Sequence, residues 1–146
     1  MSTNANANEL ATSRILHASP EQVFETFSNP ELLTLWWGPN GFASVFEVFD
    51  FRAGGDWKFM FHGPNGVQFP NELRFVEIAR PERLVVRHES QPHFTATFLL
   101  EAVDGGTKIT FRQQFENERD YEAIKPIAEG ANEQNLDRLE AVLYQG

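Results

Sequence analysis

The hydrophobic period of this chain changes twice, and that limits the folds open to it. Up to about residue 37, apolar residues mostly recur every three to four positions. From about residue 43 to residue 115 they alternate with polar ones, in short runs separated by Gly, Pro, Asn and Asp. After Phe115 the spacing becomes helical again. Successive strands joined by tight turns form an antiparallel sheet, because parallel pairing needs crossovers of a dozen or more residues. One face of that sheet must be covered, and the long C-terminal helix is the element available to cover it. The expected class is α+β: a curved antiparallel sheet of about six or seven strands, two short helices and a long C-terminal helix.

Local signals place the elements. Residues 1–8, MSTNANAN, are polar and repetitive and read as a disordered tail, leaving 9–146 as a single domain. A first strand is expected over 9–17. Ser19 is suited to cap a helix that begins at Pro20, with Gln22 completing a capping box. Asn29-Pro30 ends that helix near Ser28 and starts a second, short one reaching about Trp37. Trp57, Phe59 and Phe61 share one strand face. Asn65-Gly66 accepts the positive φ of a hairpin turn. Pro70 marks an edge or a bulge in the strand over 67–79. Further strands are expected over 43–51, 84–89 and 94–102, with a last one ending at Phe115.

The final helix, over about 118–144, is expected to kink at Pro126 and Gly130. One stripe on it reads Tyr121, Ile124, Ala128, Ala131, Asn135, Leu139, Val142. Both ends of the stripe are bulky and its middle is small. The chain also holds 14 Phe. Small residues opposite a phenylalanine-rich sheet leave a space, so the pattern predicts a cavity between helix and sheet.

Composition removes several function classes. There is no cysteine, which excludes disulfides, thiolate catalysis and zinc–thiolate or iron–sulfur sites. The net charge is -9 and the pI about 4.9, and an acidic surface repels nucleic acid and anionic lipid. No stretch approaches the ~20 apolar residues of a membrane span, and the first residues do not resemble a secretory signal, so a cytoplasmic protein is expected. No G-x-G-x-x-G, P-loop or Gly-x-Ser-x-Gly occurs, and no cofactor is expected.

Several local strings resemble one known family. Ala18-Ser19-Pro20-Glu21-Gln22-Val23-Phe24 is similar to its A-P-x-x-V-F opening. Asn29-Pro30-Glu31-Leu32-Leu33 with Trp36-Trp37-Gly38-Pro39 is similar to its D-P-x-x-L…W-W-G-P signature. Gly54-Gly55-Asp56-Trp57, Glu77-Ile78 with Pro81-Glu82-Arg83-Leu84-Val85, Gly105-Gly106-Thr107-Lys108-Ile109-Thr110, and the final stretch from Gly130 to Leu139 complete the set in order. Together they resemble the bacterial family named after the activator of Hsp90 ATPase, within the START-like, helix-grip superfamily. Two positions depart from its pattern. Many members have Trp after the Gly of the last helix, where this chain has Ala131. Many end the strand after P-E-R-L with Trp, where this chain has His88.

The resemblance implies a helix-grip fold and an internal cavity for a small lipophilic molecule. The residues expected to line it are Trp36, Trp57, Phe59, Phe75, Phe98, Phe111 and Ala131, with His88, Gln113 and Asn135 orienting the guest. Trp36 and Trp37 point about 100° apart on a helix, so both cannot face one pocket. The resemblance also includes cyclases, aromatases and hydrolases. In that alternative His88 is the candidate catalytic acid or base. A third alternative is a chaperone-associated or regulatory partner. His62, His88 and His93 fall at or near strand ends, but no spacing motif calls for a metal. Glu47 reads as a strand-edge residue or a general base, and a sheet edge with exposed aromatics is compatible with a homodimer.

Overall fold

The computed structural model describes residues 8–144. The expected N-terminal tail lies outside them except for Asn8, whose carbonyl accepts the Phe115 N–H at 2.9 Å; that residue belongs to the fold.

The elements follow in the expected order. β1 (Glu9–Leu16) leads into α1 (Pro20–Ser28) and α2 (Pro30–Trp36). Then come β2 (Ala43–Phe49), β3 (Asp56–His62), β4 (Gln68–Ala79), β5 (Arg83–His88), β6 (Phe94–Val103) and β7 (Gly106–Phe115). α3 (Glu118–Leu143) closes the chain. The capping box forms as the sequence requires: Gln22 N–H donates to Ser19 Oγ, and Ser19 N–H donates to Gln22 Oε1. Asn29 Oδ1 caps α2 and Asn117 Oδ1 caps α3.

The seven strands form one antiparallel sheet in the order β1-β7-β6-β5-β4-β3-β2. Each hairpin sets its neighbours, and β1 returns to pair with β7. Inserting α1 and α2 between β1 and β2 sends β2 to the opposite edge. Asn65 and Gly66 both take positive φ in the β3–β4 turn. Pro70 lies where β4 pairs with β3 alone, since pairing with β5 begins only at Leu73. A Cβ on Gly55 would sit 2.0 Å from the Asp50 carbonyl oxygen, so the tight turn before β3 requires glycine there.

Several expected boundaries shift by a residue or two, β1, β4 and β6 by one each. β2 stops at Phe49, past a register slip between Phe46 and Val48, with Asp50 N–H still donating to the Asp56 carbonyl of β3. β5 runs from Arg83 to His88, not 84–89, and beyond it Glu89 N–H and Ser90 N–H both donate to the Glu72 carbonyl of β4. α3 runs from Glu118 to Leu143 as one helix through Pro126 and Gly130. Among the described residues no helix is long and apolar enough to cross a membrane.

Candidate functional site

Register arranges the inward side chains of the sheet in rows. One row runs Phe75, Val86, Ala96, Gln113, Leu10 across five strands. The next runs Leu84, Phe98, Phe111, Thr12. Beyond them lie Leu73, His88, Phe94 and Phe115. Ala96 of β6 and Ala128 and Ala131 of α3 are among the residues that border a cavity of about 240 Å³ between sheet and helix. A cavity of ~150 Å³ holds a benzene ring, so this one suits about two fused rings. Two larger surface depressions, of about 410 and 430 Å³, are lined partly by charged residues of α1 and the β4–β5 turn and do not enter the core.

Of the ten residues expected at the site, eight border this cavity: Trp57, Phe59, His88, Phe98, Phe111, Gln113, Ala131 and Asn135. Trp36 and Phe75 do not. Trp36 is the last residue of α2 and points into solid core, with its Nε1–H donating to the Thr26 carbonyl at 3.1 Å. Trp37 borders the cavity in its place, because the helix ends there and extended backbone (φ -76°, ψ 118°) turns its side chain elsewhere. Phe75 is on the expected face of β4 but at its covered end, packed against Phe49, Phe51 and Trp57. Alternation assigns a residue to a face; it does not say which part of a curved face lies under the helix.

Sequence reasoning chose Trp36 over its neighbour Trp37 and missed Asn71 and Asn132. Asn132 had a usable signal, since it stands four residues after Ala128 and three before Asn135. Asn71 had none, as its role depends on the neighbouring β5–β6 loop.

The polar groups of the cavity are tied to one another. Asn132 Nδ2 donates to Gln113 Oε1 at 2.8 Å, joining α3 to β7. Asn135 Oδ1 accepts the Gly38 N–H at 2.7 Å. Gln134 Oε1 accepts Asn40 N–H at 3.0 Å, and Arg138 donates to the carbonyls of Leu35, Gly38, Pro39 and Phe42. Residues 134, 135 and 138 of α3 therefore hold the loop over 37–42, which carries Trp37 to the cavity.

His88 is 6% exposed and stacks on Phe94, ring centroids 4.6 Å apart. Its Nδ1 lies 2.9 Å from the Ser90 carbonyl and 2.8 Å from that of Pro92, and Nε2 lies 2.7 Å from Asn71 Oδ1. Burial holds its pKa below the ordinary 6.5, against the upward pull of those two carbonyls. In the neutral ring Nδ1–H serves the carbonyls and Nε2 is left as an acceptor. Asn71 must then turn its NH₂ to the ring, giving up its 3.0 Å bond to the Phe69 carbonyl. The protonated ring satisfies Asn71 as it stands.

Among the described residues no carboxylate, lysine, arginine or hydroxyl side chain lines the cavity, and His88 is the one titratable group that does. Glu47 is exposed on edge strand β2, beside the register slip. Arg14 pairs with Glu133, Asp137 and Glu140 on the outer side of α3. Among the described residues no three His, Asp or Glu side chains come close enough to hold a metal ion.

The fold has relatives among solved structures. A protein from Nitrosomonas europaea is 24% identical, with a TM-score of 0.89 over 98% of this chain and 97% of its own. One from Chromobacterium violaceum is 26% identical, with a TM-score of 0.84 over 92% of this chain and 96% of its own. One from Arthrobacter aurescens is 21% identical, with a TM-score of 0.89 over 99% and 91%. No curated protein matches. The family model described as Activator of Hsp90 ATPase homolog 1-like protein matches residues 17–144, from the end of β1 to the end of α3. That span takes in both short helices, the strands from β2 to β7 and the helix above the cavity, and the chain belongs to this family.

Proposed function

We propose that the protein binds a small lipophilic or aromatic molecule in the cavity between the sheet and α3. The observation that supports this reading is the ring-lined cavity of about 240 Å³ under α3, bordered by Ala96, Ala128 and Ala131. Packed interiors rarely leave voids of this size, because the lining atoms lose dispersion contacts. Aromatic walls supply affinity through apolar burial, and the few amide groups supply orientation. Both departures from the family's aromatic pattern, His88 and Ala131, border this same space, so the chain's own residues enlarge and polarise it.

Ala131→Trp tests the reading, since it places an indole in the void. At a free ligand concentration of ~100 Kd, binding stabilises a fold by about 2.7 kcal/mol. For a domain of this size that raises Tm by about 5–10 °C. The wild-type protein is expected to show such a shift with a member of a bicyclic aromatic library, and to carry the ligand in native mass spectrometry. The plugged variant is expected to fold with an unchanged or higher Tm and to ignore the same compound. A plugged variant that responds as the wild type does would place the binding site elsewhere. A wild type that responds to nothing in the library would end the reading.

A further inference from the structure

Ile127 borders the cavity and is 69% exposed, so the cavity opens to solvent beside it. Ile127 stands two helical turns before Gln134 on one side of α3, and Gln134 holds Asn40 of the 37–42 loop. The opening therefore lies on the side of that loop, where Pro39 and Phe61 also border the cavity. A line of aromatic rings leads out from there. Phe59 and Phe61 both border the cavity, with centroids 4.7 Å apart. Phe42 lies 5.8 Å from Phe61, and Phe69 lies 6.1 Å from Phe42. Phe69 is opposite Phe61 in the β3–β4 pairing and two residues before Asn71 on the same face of β4. Phe61 and Asn71 border the cavity; Phe69 is one step outside it and 47% exposed. Seating the 37–42 loop accounts for Phe42, whose ring lies against Gly63, but it leaves Phe69 and Ile127 facing water.

Charge avoids the same end of the molecule. Asp, Glu, Lys and Arg make up 23% of the chain, yet residues 32–46 and 59–71 hold none of them. On α3 the residues one turn either side of Ile127, namely Ala123, Ile124, Gly130 and Ala131, are uncharged as well. Single exposed apolar residues are ordinary, but an uncharged apolar surface continuous with the lip of a cavity is a binding surface. We propose that the guest carries an alkyl chain on its ring system: the rings fill the cavity, and the chain leaves past Phe61 and Ile127 and lies along Phe69. This rests on the cavity being the binding site. Two fused rings fill about 240 Å³, so a longer substituent must leave by the opening. A charged chain would meet no ion-pair partner along that path, whereas an alkyl chain covers side chains that water otherwise wets. Only one side of the chain is buried there, so each methylene is expected to raise affinity about twofold, half the logarithmic gain of full burial.

The test compares naphthalene with 2-butylnaphthalene, their affinities read by calorimetry with protein titrated into dilute probe. The butyl compound is expected to bind about tenfold tighter. Phe69→Ser and Ile127→Ser are each expected to cut that advantage to about threefold or less. Val103→Ser removes an exposed apolar side chain at the other end of β6 from Phe94, and is expected to keep the advantage whole. The Phe69 amide resonance is expected to move with 2-butylnaphthalene and to stay in place with naphthalene. Equal or weaker binding of the butyl compound, or an advantage that survives both serine variants, would overturn the path of the chain and leave the cavity reading intact. Failure of both probes to bind would remove both readings.

Discussion

Trp36 and Trp37 are adjacent in sequence, with rings 5.7 Å apart, yet one is sealed in solid core and the other borders empty space. Around Trp36 the interior is filled. Val23, Phe24 and Phe27 of α1, Leu33 of α2 and Leu136 and Leu139 of α3 are all buried there, and the one indole N–H has its carbonyl. Around Trp37 the interior is hollow, bordered by alanines and amides, and two indole N–H groups have none. The same helix, α3, covers both regions. What separates them is side-chain size along one stripe, and the cost of the hollow end is lost packing beside two buried indole N–H groups without a partner among the described residues.

Removing each tryptophan gives the largest measurable contrast. Trp36→Ala deletes a fully buried ring from packed surroundings and is expected to cost about 3–5 kcal/mol in urea unfolding. Trp37→Ala is expected to cost less than half of that, since its ring already faces a void on one side. Equal losses would mean that the two regions are packed alike and that the cavity closes in solution.

The division was partly legible in the sequence. The α3 stripe thins at Ala128, Ala131 and Asn135, and those residues do border the hollow. Caps and turns are local chemistry, so Ser19, Asn29 and Asn65-Gly66 announced their elements plainly. What could not be read is where one element stops relative to another. The helix α2 ends at Trp36, so extended backbone turns Trp37 rather than Trp36 to the cavity, and curvature carries Phe75 against Phe49 and Phe51 instead. The pairing of Asn71 with His88 likewise depends on a loop whose path no period encodes.

The loop over residues 37–42 is the boundary between the two regions, and Arg138 holds it. Its guanidinium serves four backbone carbonyls and no carboxylate. Arg138→Met keeps the aliphatic stem and strips the donors, at an expected cost of about 1–3 kcal/mol. Amide hydrogen exchange should rise in residues 37–42 and in the neighbouring turn of α3, and remain as before in α1. A uniform rise across the protein would show that loop and core open together, and that the boundary is not a separate unit.

The smallest expected effect separates the two regions by pH, because the filled one holds no titratable side chain and the hollow one holds His88. Burial lowers the His88 pKa in the folded protein, the carbonyls of Pro92 and Ser90 oppose this, and His93 and Glu89 act in opposite senses. The unfolded ring takes up its proton near pH 6.5, while the folded ring resists until the pH is lower. Protons then favour the unfolded chain. Stability is full above about pH 6.5, declines below it by at most ~1.4 kcal/mol per pH unit, and levels off once the folded ring is protonated. His88→Gln removes this component, so the difference between the two unfolding curves from pH 7.5 to 5 isolates it from the carboxylates. Superimposable pH curves for the two proteins would mean that His88 titrates as freely folded as unfolded, and that the hollow end is wetter than its geometry requires.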